Sequence, residues 1–398
     1  MNLQRSQTLP RVLVVSERLD IGGTETHLAR VLPLLRQRGL DVSIFVLERG
    51  GALEAALVGA GVPVLGPDAG RSLLRAGLLL RQSLDRLRPD VVHYFLPRPY
   101  LVGSLATAGS PPAIRIMSRR SLSDYQRKHP VLGWVERRLH RATRALLANS
   151  TAVADELAAE SGDRRKVGVI HNGIEIPPAV SPEKQQGLRR ELGIPTDAFA
   201  LAVIANLAVY KGHADLLAAL AGIAGRLERC WRLILTGRDM GAATALRRQA
   251  LSLGIDDNML WLNVRPNAAD LLDAADVAVL PSHQEGFSNS LLEKMARGLA
   301  VIATRVGGNL DAIDDGVSGI LVPPGDPAAL GAAILRLHAD RELRARLGAA
   351  ARQRVEQHFS LAACVTRYLN LYGGVRAAGD IPIQSIIEPA AAAVDASP

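Results

Sequence analysis

Short apolar runs alternate with amphipathic stretches along nearly the whole chain of 398 residues. A run of four to six apolar residues is typical of a buried parallel strand, and an apolar period of 3.6 residues is typical of a helix. The strands that this pattern predicts in the first half are 11–16, 42–47, 62–65, 90–97, 114–120, 145–150 and 167–173. Those that it predicts in the second half are 200–204, 231–235, 260–262, 277–280, 300–304 and 320–323.

Helical periodicity fills most of the intervals between these strands. The predicted helices are 27–38, 73–87, one from 152, one from 215, 268–275, 288–298, 327–359 and 361–372. The repeated strand–helix order predicts an α/β protein made of two Rossmann-like, doubly wound halves. Such halves bind ligands beyond the carboxyl ends of their strands.

A proline-containing stretch separates the two halves. We therefore expect a first domain over 1–177, a linker over 178–196 and a second domain over 197–360. A final helix over 361–372 follows, and residues 373–398 have no periodicity and predict a loose tail.

Composition narrows the class of protein further. Apolar residues make up 48 % of the chain, which suits ordinary α/β cores. Only Cys230 and Cys364 are present, which excludes a disulfide framework and a cysteine-based zinc site. The sequence has neither the pattern of a signal peptide nor an apolar run long enough to cross a bilayer. We expect a cytoplasmic protein.

The loop and helix after the predicted strand 277–280 carry the most chemistry. Glu285 and Glu293 bracket the loop at a spacing of Glu-x7-Glu, and Ser288 is placed to cap the helix between them. A helix N-terminus suits a phosphate, because its backbone N–H groups are free and carry partial positive charge. Carboxylates suit neighbouring hydroxyls. A ligand that carries phosphate next to several hydroxyl groups, such as a sugar nucleotide, fits this arrangement of residues. The Glu-x7-Glu spacing alone is a weak pattern, because two glutamates eight residues apart often occur by chance.

The full string is far more specific. Pro281-Ser282, Glu285-Gly286-Phe287-Ser288 and Glu293 are followed by Gly307-Gly308 and by Asp314, Gly316 and Gly319. In this order the chain resembles the retaining glycosyltransferases of family 4 over roughly residues 11–372. The resemblance implies the two-domain GT-B fold, with the final helix crossing back onto the first domain. It also implies a nucleotide-diphosphate sugar (UDP- or GDP-sugar) as the donor. The basic face of the first half, described below, indicates a glycan or lipid-linked acceptor, in envelope or exopolysaccharide synthesis.

The resemblance assigns roles at matching positions. It implies that Glu285 holds sugar hydroxyls, that Glu293 holds the ribose, and that Gly22 and Gly23 line the donor cleft at a strand-to-helix turn. Lys211 matches the lysine that pairs with the donor diphosphate, which suits a compact charge at a helix start. The amides after Glu285, in Gly286, Phe287 and Ser288, would join Lys211 in stabilising the leaving diphosphate.

Some positions depart from the family pattern. His93 matches the first histidine of a His-x-His loop and is carried over as a catalytic candidate, but Phe95 replaces the second. Asn206 and Ala208 stand where the family supplies a second phosphate-binding arginine. We expect another base, Arg238, to take over that contact.

No metal or cofactor is expected. The chain contains no Asp-x-Asp, so the carboxylate pair that binds metal in the other main glycosyltransferase fold is missing. The donor is a substrate, and the leaving diphosphate would be stabilised by the protein alone.

The formal net charge of +8 is unevenly spread, because all of the basic excess lies in residues 1–177. Its densest part contains Arg119, Arg120, Arg127, Lys128, Arg137, Arg138, Arg141 and Arg144. Nucleic acid is not the expected partner, because the segment 118–144 offers only Tyr125 and Trp134 for stacking and no recognised motif. Arginines among Val131, Leu132, Trp134, Val135 and Leu139 fit a basic amphipathic helix on an anionic membrane. A solvated face is the alternative.

Two other functions stay open. The missing arginine and histidine allow a catalytically impaired sugar-nucleotide-binding or scaffold protein. A dinucleotide-dependent oxidoreductase is more remote, because no Gly-x-Gly-x-x-Gly follows a strand with an acidic partner.

Overall fold

The computed structural model describes residues 9–68, 72–107, 113–122, 126, 129–227, 230–262, 264, 268–376 and 381–389. The chain divides into two compact units. Unit 1 comprises Met1–Gly173 and Leu361–Pro398, and unit 2 comprises Ile174–Ser360. The boundary therefore falls at residue 174, close to the expected end of the first domain at 177.

Unit 1 is built on a parallel sheet whose strand order is β3-β2-β1-β4-β5-β6-β7. The strands are β1 Val12–Ser16, β2 Val42–Val46, β3 Val64–Leu65, β4 Val91–Phe95, β5 Ile114–Arg119, β6 Ala145–Ala148 and β7 Val167–Val169. Every residue of β1, β4 and β6 is buried, because helices cover both faces of the sheet. This burial is why the strands stand out as unbroken apolar runs.

The helices of unit 1 flank this sheet. They are Gly23–Gln37, Glu54–Gly59, Leu73–Leu87, Pro97–Ala106, Pro130–Arg141, Thr151–Ser161, Leu361–Gly374 and Ile383–Ile387. The apolar pattern did not predict Pro97–Ala106, whose first turn is Pro97-Arg98-Pro99. Proline suits that turn, because its missing N–H would be unsatisfied there anyway.

Unit 2 repeats the design with the strand order β10-β9-β8-β11-β12-β13. Its parallel strands are β8 Phe199–Ile204, β9 Trp231–Thr236, β10 Met259–Leu262, β11 Val277–Leu280, β12 Ala300–Thr304 and β13 Ile320–Val322. Its helices are Pro182–Glu191, His213–Ile223, Ala243–Ser252, Asn289–Ala296, Asn309–Ala312, Pro327–Ala339 and Arg341–His358. Short 3₁₀ turns include Val209–Lys211 and Ala268–Ala274, the latter where an α-helix was expected. The α/β class with two Rossmann-like units is confirmed.

Each sheet reverses its strand order once. In unit 1 the reversal lies between β1 and β4, and in unit 2 it lies between β8 and β11. Consecutive crossovers depart to opposite sides at such a point, so the loops after the two strands leave a crevice at the carboxyl edge. Ligand-binding residues are therefore expected directly after β1, β4, β8 and β11.

The expected linker 178–196 contains the helix Pro182–Glu191, which is fixed to unit 2. The buried Arg189 donates from Nε to the Ala274 carbonyl at 2.9 Å and from Nη2 to Asp276 Oδ2 at 2.8 Å. A linker-like composition was misleading here, because one arginine anchors an otherwise polar helix to the domain.

The expected long helix 327–359 is two helices. Asp340 interrupts it in an extended conformation, and its Oδ1 accepts a hydrogen bond from Leu343 N at 2.8 Å. Such a side-chain cap satisfies a free N–H at a new helix start.

The final helix, Leu361–Gly374, belongs to unit 1, as expected from the resemblance. Two buried tyrosines attach it there. Tyr368 OH lies 3.1 Å from His27 Nε2, and Tyr372 OH lies 2.7 Å from His93 Nδ1. The helix also supplies Leu371 and Val365 to the core of unit 1.

The prediction of a loose tail was wrong for residues 381–389. Ile383 and Ile387 are fully buried against the sheet of unit 1, and Gln384 Oε1 accepts a hydrogen bond from Val169 N at 2.7 Å. The helix is too short to show a helical period in the sequence. Its burial comes from packing against β7, which the local sequence pattern does not reveal. Residues 377–380 and 390–398 of the predicted tail lie outside the described residues.

No helix within the described ranges is long and apolar enough to span a bilayer.

This packing predicts that Ile387→Ala lowers the free energy of unfolding by about 2–4 kcal/mol, because it removes a fully buried side chain. Ile381→Ala is the matched control, since Ile381 lies in the same segment with 52 % of its side chain exposed. Urea unfolding of both variants checks the prediction. Equal effects of the two changes would contradict the packed tail.

Candidate active site

An ion pair spans the strand-order reversal of unit 2. Lys211 closes the turn Val209–Lys211 after β8, and Glu285 lies in the loop after β11. Lys211 Nζ lies 2.7 Å from Glu285 Oε1. The two residues are 74 positions apart in the chain, and the sheet places them together because β8 and β11 are neighbours.

Burial and a hydrogen bond from Ser282 orient the ion pair of Lys211 and Glu285. Glu285 is only 9 % exposed, and Ser282 Oγ donates to the same Oε1 at 2.7 Å. Among the described residues, the hydrogen bonds to this carboxylate end on Oε1. Oε2 is thus the oxygen that remains available to the hydroxyl of a ligand.

Glycine backbones bring the surrounding loops together. Gly212 has φ +67°, and a Cβ there would lie 1.9 Å from the Pro281 carbonyl oxygen. Gly307 has φ +44°, and a Cβ there would lie 1.7 Å from the Glu285 carbonyl oxygen. Any side chain at these positions would push apart the loops that carry Lys211 and Glu285.

The loop continues into the helix Asn289–Ala296. Ser288 Oγ accepts a hydrogen bond from Leu291 N at 3.3 Å, which confirms the predicted cap. Phe287 is buried against Phe359, with ring centroids 5.5 Å apart, so its side chain anchors the loop from below. Gly286 accepts a hydrogen bond at its carbonyl from Gly308 N at 3.1 Å. Glu293 is half-buried on the same helix.

Lys294 was not among the predicted site residues, yet it is a fully buried cation beneath this loop. Its Nζ donates to the Ser290 carbonyl at 3.2 Å and to the Ile204 carbonyl at 3.3 Å. Burial, reinforced by the charge of Lys211, lowers its pKa to about 8, although Glu293 and Glu285 oppose the shift. The helical period could have revealed it, since Lys294 is three residues after the buried Leu291.

His213 is a second residue that the sequence reasoning missed. It begins the helix His213–Ile223 and is 2 % exposed, and neither ring nitrogen has a hydrogen-bond partner within the described part of the chain. Burial and the charges of Lys211 and Lys294 lower its pKa to about 4, so the ring is neutral near pH 7. His213 could have been predicted as a site residue, because it follows Lys211-Gly212 directly in the sequence.

The candidate Arg238 lies exposed in the loop after β9. Its backbone N–H donates to Asn206 Oδ1 at 3.3 Å, so Asn206 shapes this loop at a position where an arginine was expected. The role proposed for the Arg238 side chain stays a prediction.

In unit 1, Gly22 caps the helix Gly23–Gln37 in an extended conformation after β1. Gly23 begins that helix, four residues before the predicted start at residue 27, so part of the expected glycine turn belongs to the first turn of the helix.

His93 lies in the middle of β4 rather than in a loop after it, where the resemblance places the histidine. It is fully buried, with Nε2 2.8 Å from Ser118 Oγ and Nδ1 2.7 Å from Tyr372 OH. Burial and the charge of Arg120 lower its pKa to about 3. Its catalytic role stays a prediction, and its observed contacts connect β4, β5 and the final helix.

The predicted strand 114–120 was expected to deliver Arg119 and Arg120 to the cleft or the acceptor side, but Arg119 lies inside unit 1. It is buried, and its guanidinium donates to both oxygens of Glu160 at 2.6 and 2.8 Å. Burial would raise the pKa of Glu160, but hydrogen bonds from His140 and Arg119 lower it to about 2. Arg120 donates to Asn172 Oδ1. Arg119 is thus part of the interior of unit 1, and Arg120 is half-buried beside it.

Groups of histidine, cysteine and acidic residues able to hold a metal ion are absent from the described residues. Tyr125, Arg127 and Lys128 of the basic segment lie outside those residues.

Comparison with known proteins places this geometry in a family context. The family described as glycosyl transferases group 1 matches residues 184–354, and the family described as glycosyltransferase family 4 matches residues 21–176. A D-inositol 3-phosphate glycosyltransferase of Geodermatophilus obscurus is 32 % identical, with 81 % of this chain and 79 % of the relative covered. Its counterpart in Corynebacterium diphtheriae is 27 % identical, with 89 % and 90 % covered.

Solved structures show the same fold. Anabaena HepE in complex with UDP has a TM-score of 0.80 at 22 % identity, covering 90 % of this chain and 98 % of that one. WaaG, a glycosyltransferase involved in lipopolysaccharide biosynthesis, has a TM-score of 0.68 at 18 % identity, covering 91 % and 100 %.

The buried Lys294 predicts a pH dependence of stability. Its pKa in the folded protein lies below its ordinary value of 10.5, so the unfolded chain binds more protons between about pH 8 and 10.5. Stability therefore rises with pH in that window. Relative to Lys294→Met, the wild type should gain up to about 3 kcal/mol from pH 7 to 10.5.

Denaturant unfolding at several pH values measures this difference. Lys184→Met is the control, because Lys184 is largely exposed and should show no such gain. A difference between wild type and Lys294→Met that stays flat with pH would refute the buried cation.

Proposed function

The chain belongs to glycosyltransferase family 4, and we propose that it transfers a sugar from a UDP-sugar to a glycan or lipid-linked acceptor with retention of anomeric configuration. The observation that carries the proposal is the buried pair of Lys211 and Glu285 at the strand-order reversal of unit 2, 2.7 Å apart. A UDP-sugar is favoured over a GDP-sugar because Anabaena HepE, which has the same fold, was solved with UDP and with UDP-glucose.

The diphosphate of the donor needs positive charge, and Lys211 supplies it. Its ammonium is held by Glu285 in a largely buried place, so it is oriented before a ligand arrives. Backbone N–H groups at the start of the helix Asn289–Ala296 add the partial charge of a helix N-terminus. Lys294 beneath the same helix contributes further positive potential when it is protonated.

The sugar and ribose of the donor need hydroxyl acceptors. Glu285 offers Oε2 to the transferred sugar, since its described hydrogen bonds end on Oε1. Glu293, half-buried eight residues further along, is assigned to the ribose. Each carboxylate accepts from two hydroxyls without a change of protonation, which is the pattern a polyol requires.

In the proposed reaction the bond between the anomeric carbon and the diphosphate oxygen breaks, and UDP leaves with the bonding electrons. The acceptor hydroxyl attacks the face that UDP leaves and passes its proton to the departing phosphate oxygen. Lys211 and the amides of Gly286, Phe287 and Ser288 stabilise the charge that grows on the diphosphate. We propose that this set acts without a metal ion.

A catalytically impaired sugar-nucleotide-binding protein is the second candidate. This candidate is favoured by Asn206, which stands where the family has an arginine. The side chain of Asn206 accepts a hydrogen bond from the Arg238 backbone N–H. Such a protein would bind UDP-glucose without releasing UDP from it.

A membrane surface is a further part of the proposal. On the helix Pro130–Arg141, Val131 is 76 % and Trp134 is 54 % exposed, and Arg137, Arg138 and Arg141 are exposed beside them. Leu139, expected on the apolar face, packs into the core instead. We therefore assign membrane contact to this narrower outer face, at the inner side of the cell membrane.

The donor site predicts a thermal-shift pattern. UDP-glucose at one hundred times its Kd should stabilise the folded protein by about 2.7 kcal/mol. Lys211→Met and Glu285→Gln should each weaken binding at least about tenfold, because each removes one charge of the pair. Lys184→Met, an exposed lysine of the same unit, should bind as the wild type does.

UDP release from UDP-glucose, measured on the same samples, separates the two candidates. Release by the wild type that is lost in Lys211→Met supports the transferase. Stabilisation without any release would favour the binding protein, and no stabilisation would remove the UDP-sugar assignment.

The exposed helix face predicts binding to anionic vesicles. The double change Val131→Ser with Trp134→Ser should reduce co-sedimentation with phosphatidylserine-containing vesicles by about tenfold, because both apolar contacts are lost. Leu105→Ser, at an exposed leucine of another helix, is the control. Equal binding to neutral phosphatidylcholine vesicles would contradict the charge component.

A further inference from the structure

Unit 1 contains a cavity of about 570 Å³. Its size is that of a site for a small molecule. The lining consists of polar and charged side chains with a few apolar ones, namely Glu17, Arg18, Asp20, Ile21, Gly22, Glu25, Leu47, Glu48, Ser72, Leu73 and Arg98.

The cavity lies at the place where this sheet is expected to bind a ligand. Glu17 and Arg18 follow β1, Arg98 follows β4, and Leu47 and Glu48 follow β2. These three strands surround the reversal of strand order in unit 1. Their carboxyl ends all point to the edge where the cavity opens.

The charges of the lining are unbalanced. Its four carboxylates face two guanidinium groups, and both guanidinium groups are already paired. Arg18 lies 2.9 Å from Glu48 and 3.2 Å from Asp20, and it also donates to the Gly50 carbonyl at 3.1 Å. Arg98 is paired with Glu17.

Glu25 is the carboxylate left without a cation in the lining. Burial raises its pKa and the charges of Glu17 and Asp20 add to the shift, although a backbone hydrogen bond at the start of its own helix and the charge of Arg120 oppose it.

We infer that this cavity holds an acceptor that presents hydroxyl or amino groups and carries no phosphate. The inference rests on the proposed function, in which unit 2 holds the donor, and it assigns Gly22 to the acceptor cavity instead of the donor cleft where it was expected. Carboxylates accept hydrogen bonds from hydroxyl and ammonium groups, and Ile21, Leu47 and Leu73 offer apolar contact to the C–H face of a sugar ring. Ser72 keeps its hydroxyl proton available, because its Oγ accepts from Arg75 N as a helix cap.

This acceptor class differs from the one in the names of the relatives, which act on D-inositol 3-phosphate. A phosphate monoester carries about −1.5 to −2 charges near pH 7. In this cavity it would meet carboxylates, and each lining arginine would have to leave its carboxylate partner to bind it. Like charges placed together discriminate strongly against the wrong ligand.

Saturation-transfer NMR on the full chain tests the charge preference with glucose, glucosamine and glucose 6-phosphate. Glucosamine should receive the most saturation, glucose less, and glucose 6-phosphate at least about tenfold less than glucosamine. Leu73→Trp, which fills the cavity from its rim, should remove the signal of all three sugars. A stronger signal from glucose 6-phosphate than from glucose, or no signal from the two unphosphorylated sugars, overturns the inference.

A charge variant gives the converse result. The double change Glu17→Gln with Glu48→Gln releases Arg98 and removes one partner of Arg18, so glucose 6-phosphate should gain at least about threefold in signal while glucosamine loses signal. Asp85→Asn is the control, since it breaks an exposed arginine pair elsewhere in unit 1. An unchanged ratio of the two sugars in the double variant also overturns the inference.

The stabilisation by UDP-glucose, measured on the same samples, separates this inference from the proposed function. If UDP-glucose stabilises the protein and the sugars fail to discriminate, the inference falls and the transferase stands. If the sugars behave as expected and UDP-glucose has no effect, the cavity is a saccharide site and the transferase assignment falls.

Discussion

The reversal of strand order in each parallel sheet is the constraint from which both candidate sites follow. Right-handed crossovers carry the chain to one side of the sheet and then to the other, so the loops on either side of the reversal diverge. In unit 2, Lys211 and Glu285 lie on the two loops that flank the reversal and form an ion pair across it. In unit 1, the cavity lies between the loops after β1, β2 and β4.

The same topology thus produces two sites of opposite character. One is organised around cations and helix N-termini and suits a diphosphate, and the other is lined mainly by carboxylates and suits hydroxyl or amino groups.

In unit 2, a buried charge and close backbone packing both stabilise the loops of the candidate site. Lys294 is a charge that the interior disfavours, yet it is retained under the loop that carries Glu285. In the proposed function, its cost to stability is the counterpart of the positive potential that it would give to a donor diphosphate. Gly212 and Gly307 contribute in another way, because they let backbone meet backbone where a side chain would separate the loops. Preorganisation of this kind is what electrostatic stabilisation of a leaving group requires.

Much of this could be predicted from the sequence, because strands buried on both faces form unbroken apolar runs and the loop around Glu285 has a long, specific motif. The missed features depend on contacts between distant segments. Arg119 was expected in a cleft, and only the fold shows Glu160 beside it, 41 residues further along. Arg189 turns a linker-like stretch into part of unit 2 in the same manner. The helix Ile383–Ile387 is too short to have a period, so its burial becomes visible only against β7. Lys294 differs, because its position on the buried face of a helix could be read from spacing alone.

The attachment of Leu361–Gly374 to unit 1 has a consequence for synthesis on the ribosome. Unit 2 is continuous in the sequence, so it is complete as soon as residue 360 has emerged. Unit 1 is not, because Tyr368 and Tyr372 are the buried partners of His27 and His93 and arrive only at the end of the chain. At 5–20 residues per second, its first part waits on the order of 10 to 40 s for those tyrosines. During that interval the nascent chain exposes the apolar surface of unit 1 that the last helix will cover, and such a surface is prone to aggregation and is bound by chaperones.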